Sequence, residues 1–176
     1  MDDPIDYASS GLDIQYAKVD HHERHPDKAT RPEHILWGGH LIKTADWWDV
    51  PTKGIVRIEL GEAKLGMENG VDLKIESGGV ELIDGTHHSL LRTWKDDRFE
   101  DALEYQYESR TGRLCVYNVY KIHYPNGEVR EEYLTGNAGF WVDKVSPLRR
   151  IYHCSHGAAP RPDFDAFEFS VSVKAR

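Results

Sequence analysis

The sequence predicts an all-β protein, an antiparallel up-and-down β-barrel of about eight to ten strands behind an irregular N-terminal arm. Three observations carry this. From residue 33 onward, short apolar runs alternate with Gly- or Pro-containing turn signals, the pattern of consecutive antiparallel strands. Near the end, Phe167, Phe169, Val171 and Val173 alternate with Glu168, Ser170, Ser172 and Lys174, so one strand face is apolar and the other wet. The longest interval without Gly or Pro, 86–111, has the polar middle KDDRFED, which gives no helical core stripe and leaves room for one or two turns at most.

In chain order, residues 1–32 hold Pro4, Pro26 and Pro32 and no sustained period, and read as an arm. Residues 33–176 form the single β domain, with about eleven candidate strands in HILWGGHLI, GIVRIEL, VDLKIES, GVELID, HHSLLRTW, ALEYQYES, RLCVYNVYKIHY, EVREEYL, AGFWV, RRIYHC and FDAFEFSVSV. Leu103, Tyr105 and Tyr107 share one phase. A two-residue turn at Arg110 and Thr111 would pair Tyr107 with Leu114 and Tyr105 with Val116, and send Val116, Asn118, Tyr120 and Ile122 to the tyrosines' side. A three-residue turn with Gly112 left-handed would bring Tyr117, Lys121 and His123 there instead.

Composition excludes several classes. The 22 basic and 30 acidic side chains give a net charge of −8 and no basic stripe appears, which argues against nucleic acid. Mean hydropathy is −0.63, yet 19 residues are Phe, Trp or Tyr, too many for a disordered chain. No apolar run approaches membrane-spanning length, and the acidic start MDDPIDYASSGLD lacks a signal-peptide pattern and reads as a mature end. Cys115 and Cys154 form no C-x-x-C pair and read as buried thiols, so a cytoplasmic location is expected. The P-loop, G-x-G-x-x-G, G-x-S-x-G and H-E-x-x-H motifs are missing.

Residues with chemical potential remain. Six tyrosines fall within residues 105–133, flanked by Trp94 and Trp141, and buried phenols and indoles need polar partners, so a ligand-lined cavity accounts for them. His88 shares its strand phase with Arg92 and Trp94, a pairing suited to an anionic or enolate-like ligand. His153, beside Tyr152, is the other expected base. The histidines of HHERH sit in a segment without rigid elements and read as a solvated loop, so no metal is expected.

Residues 125–157 hold Asn126, Gly127, Glu128 and Val129, then Gly139, Phe140, Trp141 and Asp143. This N-G-E-V hairpin followed by a Gly-aromatic-Trp strand and an Asp turn resembles the later strands of calycin-type barrels, in particular the fatty-acid-binding-protein-like and nitrobindin-like group. The resemblance covers about a fifth of the chain and implies a ten-stranded barrel around a small-molecule cavity. The nitrobindin branch carries a Gly-x-Trp-x-Gly motif and a late histidine that ligates haem. Here Trp37, Gly38 and Gly39 stand in that place, and no histidine follows His156.

The expected function is cofactor-independent lyase, isomerase or cyclase chemistry by acid–base catalysis on a partly hydrophobic organic molecule. Its catalytic residues would be His88, His153, Tyr105 and Tyr120, and its substrate-binding residues Arg92, Trp94, Tyr107, Asn118 and Trp141. The alternative is a non-catalytic carrier or sensor for a lipid or haem. The expected partner is a small hydrophobic or aromatic molecule, with homodimerisation left open, and neither nucleic acid nor membrane is expected.

Overall fold

A computed structural model describes residues 4–97 and 100–176. Arg98 and Phe99, in the middle of KDDRFED, lie outside the described residues, as do residues 1–3. All eleven candidate runs form strands. HILWGGHLI is a short hairpin, β1 (Ile35–Trp37) and β2 (His40–Ile42). A further strand, β3 (Asp46–Asp49), follows it. Then come β4 (Lys53–Ala63), β5 (Asn69–Ile75), β6 (Gly78–Glu81), β7 (His87–His88), β8 (Leu90–Trp94), β9 (Ala102–Ser109), β10 (Arg113–His123), β11 (Val129–Glu132), β12 (Gly139–Ser146), β13 (Arg149–Ser155) and β14 (Phe167–Ala175).

The strands pair antiparallel into a seven-stranded sheet, β12-β13-β14-β4-β9-β6-β7, facing a second sheet, β11-β10-β5-β8, in which β3 also pairs with β10. Between them lies the main core: Val56, Ile58 and Leu60 from β4, Val71, Leu73 and Ile75 from β5, Leu114 and Val116 from β10, and Phe167, Phe169 and Val171 from β14. The period-2 pattern seen at the C-terminus places its apolar phase here.

The expected closed barrel is not what the ladders form. At each lateral edge one stretch of chain changes sheets. Lys43 makes a single bridge to Phe140 of β12 before Asp46–Asp49 pair with β10, and β7 pairs with β6 while β8, one residue later, pairs with β5. The ladders break at these bends, so among the described residues no continuous pairing closes a cylinder.

The hairpin between β9 and β10 is corrected likewise. β9 lies between β4 and β6, and β10 lies in the opposite sheet. The buried Ser109 hydroxyl makes the corner, donating to the Glu76 carbonyl and accepting from the Gly112 and Arg113 amides. Val116, Asn118 and Tyr120 still take the interior, where Tyr105 and Tyr107 also point, now across the sandwich from them.

The arm is not irregular throughout. Residues Ile14–Arg24 form a helix, α1, whose N-cap Asp13 accepts from the Tyr16 amide at 2.8 Å. Ile14, Ala17 and His21 are its only buried positions, a stripe too narrow to register against eight polar or exposed neighbours. Ile14 and Ala17 join Tyr7, Ile35, Trp37 and Ile42 in a second apolar cluster, and the His21 ring meets the Pro32 carbonyl at 2.8 Å. No helix among the described residues is long and apolar enough to cross a membrane.

Candidate functional site

The residues expected to share one cavity occupy four places. Tyr105, Tyr107, Asn118 and Tyr120 face the interior. Trp141 and His153 lie on the outer face of the seven-stranded sheet, their rings stacked 3.7 Å apart, with His40 on the far side of the indole at 4.4 Å and Glu168 at 3.3 Å from His153. Arg92 and Trp94 lie on the outer face of the other sheet, where Arg92 grips Asp72 with two hydrogen bonds of 2.8 Å and Lys121 covers Trp94. His88 is exposed on β7 and contacts Thr86. A sheet separates His153 and Arg92 from the interior tyrosines, so these groups cannot meet one ligand.

The interior carries its own polar seam, running between β10 and β13. Asp46 begins it. The alternation of β3 turns Asp46 and Trp48 inward and Trp47 and Asp49 outward. Asp46 is fully buried, accepting from Lys43 Nζ at 2.8 Å, from Arg150 Nη1 at 2.9 and 2.8 Å, and from the Tyr152 hydroxyl at 2.8 Å. Burial works to raise its pKa, and the hydrogen bonds from Lys43 and Arg150 outweigh burial and hold it below the usual value. Two cations thus face one carboxylate. The Arg150 guanidinium lies 4.6 Å over the Trp48 ring. Burial and the Asp46 charge push the Tyr152 phenol well above its ordinary value, so it stays protonated and donates to Asp46.

Farther along the seam, Asn118 donates to the Ser155 carbonyl at 3.1 Å. Tyr120 reaches Thr135, donating to its carbonyl at 3.1 Å and accepting from its amide at 3.0 Å. The Tyr120 ring also lies 4.9 Å from that of His156. Gly157 makes this approach possible, because a Cβ there would sit 2.2 Å from the Tyr120 ring. Burial depresses the His156 pKa although the backbone of Glu68 and Lys121 favours the charged form. Nδ1 accepts from the Ala158 amide at 3.0 Å, so the neutral ring carries its proton on Nε2.

Among the described residues, five buried side-chain atoms have no hydrogen-bond partner: Trp48 Nε1, Arg150 Nε, Asn69 Oδ1, Thr93 Oγ1 and His156 Nε2. Strand phase places the first four on the interior side, since Trp48 pairs with Leu114, Asn69 with Tyr120 and Thr93 with Val71, while Arg150 shares the phase of Tyr152. His156 follows β13 and packs on Tyr120. Buried polar groups are almost always bonded, so atoms such as Trp48 Nε1 and Arg150 Nε call for a partner, a water or a ligand.

Comparison of the chain with protein-family models, curated proteins and solved structures gives no match. The resemblance of residues 125–157 to calycin-type barrels is matched here only at the level of antiparallel β-structure.

Sequence reasoning missed Asp46, Trp48, Asn69, Thr93, Arg150 and His156. The DWWD run is too short to count as a strand, and the five orphaned atoms come from four stretches of chain that only the fold assembles. The two cysteines are buried thiols; burial is the first cause of the rise in each, taking Cys115 to about 12 and Cys154 well above its ordinary value.

One prediction arises here. Between the depressed folded pKa of His156 and the ordinary value of about 6.5, the unfolded chain binds a proton that the native chain does not. Stability therefore falls as pH drops below about 6.5. His156→Gln, followed by urea unfolding at several values from about pH 5 to 7, is expected to show a shallower fall than the wild type.

Proposed function

We propose that the chain binds a small, partly hydrophobic organic molecule along the interior seam, through acceptor oxygens presented to Arg150 and Trp48. These two unpartnered buried donors, brought together where Arg150 lies over Trp48, carry this reading. Apolar walls from Val116, Tyr152 and Phe169 would cover the rest of the ligand. The excess of cation at Asp46 favours a ligand whose oxygen is negative or becomes so.

Two uses of such a site are open to this chemistry, and hydrogen bonding favours the carrier of calycin type. The interior lone pairs suited to proton abstraction are occupied: Asp46 accepts from Lys43, Arg150 and Tyr152, and His156 Nδ1 from Ala158. The second reading is a cofactor-independent lyase, isomerase or cyclase, in which the same donors polarise a carbonyl and hold an enolate while the substrate supplies its own base. His88 and His153 do not face the seam and take no part in either.

Native mass spectrometry of freshly purified full-length protein tests the binding reading. The expected spectrum carries a small-molecule adduct on the wild type that is lost in Arg150→Met, a change that keeps the Lys43–Asp46 pair. A bare wild-type mass, or an adduct retained undiminished by Arg150→Met, overturns it.

A further inference from the structure

On the surface, a cleft of about 730 Å³ opens between the start of α1 and the loops at 136–137 and 157–162, a volume within the range of small-molecule sites. It is held rigidly by chain segments far apart in sequence. The Gln15 amide donates to the Gly136 carbonyl at 3.0 Å, and the Gly136 amide to Gln15 Oε1 at 2.9 Å. Asn137 is buried and spent on both sides, its Oδ1 accepting from the Ile14 amide at 3.2 Å and its Nδ2 donating to the Ala159 carbonyl at 2.8 Å. The floor is two glycines in contact, for a Cβ on Gly136 would lie 2.3 Å from the Gly157 carbonyl oxygen. Such a cleft loses little freedom when something enters it.

Its walls carry a definite chemistry. Trp37 lines it at 9% exposure and Tyr16, at 63%, stands open to solvent, with Leu12 and Pro160 beside them. Arg161 is exposed on the wall and, among the described residues, has no carboxylate within ion-pair distance. Asp13 is the acid in the lining, and its Oδ1 is engaged in capping α1. The helix amides offer nothing further, because those of Ile14, Tyr16 and Ala17 are already bonded. Arg161 is the cation of the lining and the group placed to meet an anion there.

We infer that this cleft is a second small-molecule site, separate from the interior seam, for a flat aromatic molecule that lies against Trp37 and Tyr16 and presents a carboxylate to Arg161. Arg is the side chain that meets a carboxylate with two parallel donors, and one with no ion pair among the described residues, on a chain of net charge −8, is a local attractor for an anion.

The test titrates 2-naphthoate into the 15N-labelled full chain. Shifts are expected at the Trp37 indole N–H and at the amides of Gly136, Asn137 and Gly157. Binding should weaken at least about tenfold in Arg161→Gln, and by a similar factor for the uncharged 2-naphthamide on wild type. Tyr16→Ala should weaken both compounds through lost stacking. Both replaced residues are exposed, so the fold is retained. Four outcomes overturn the inference: no shifts at millimolar 2-naphthoate, shifts centred on Trp48 and His156, affinity unchanged in Arg161→Gln, or tighter binding of the cationic 2-naphthylmethylammonium, which would give the charge contact to Asp13.

Discussion

Replacing Asp46 with asparagine is expected to lower the unfolding free energy by about 3–5 kcal/mol, because it leaves Lys43 and Arg150 as buried cations without their counter-charge. The side chains of the two cations are 13% and 14% exposed and that of Asp46 is 0%, so solvent screening relieves little of the cost. Asparagine keeps the shape and one acceptor, which isolates charge from packing. The pH dependence has a definite sign. The folded carboxyl lies below its ordinary value, so its stabilisation is complete above about pH 4 and is lost as pH falls through the folded pKa. Urea midpoints at neutral pH should separate the two proteins widely, and the gap should narrow under acid. A gap below about 1 kcal/mol at neutral pH would mean that water already balances these charges.

Gly157→Ala is the second large effect. The added methyl would stand 2.2 Å from the Tyr120 ring, in a place where the backbone itself is unstrained and the clash alone sets the cost. Overpacking together with loss of the Tyr120 bonds to Thr135 is expected to cost about 2–4 kcal/mol. In a Tyr120→Leu background the ring is gone, and the same alanine should cost about 1 kcal/mol or less. Equal costs in both backgrounds would show that the Gly157 backbone, not the tyrosine, resists the methyl.

Much of the β-structure was legible because it depends on local pattern. Alternation in β14 and the turn signals between runs need only neighbouring residues, and every candidate run became a strand. Helix α1 was missed for the same reason in reverse. Its buried stripe is three residues wide and one of them is a histidine, whose burial depends on the Pro32 carbonyl meeting its ring. The site was the least legible part. His88, Arg92 and His153 carry reactive groups at strand-like spacing, yet spacing fixes only that neighbours alternate, and which phase faces inward is decided by the partner sheet.

By itself, the sequence determined the class of the chain: strands in order, antiparallel, acidic outside and aromatic-rich, with two buried thiols. Only the tertiary structure decided that β9 and β10 part into different sheets, that Asp46 comes to rest beside Arg150, 104 residues away, and that His156 lies under Tyr120. The physical reason is range. Hydrophobic alternation and turn chemistry act over a few residues, whereas a buried charge or an orphaned donor acquires its meaning from groups that the chain brings close only when both sheets are packed.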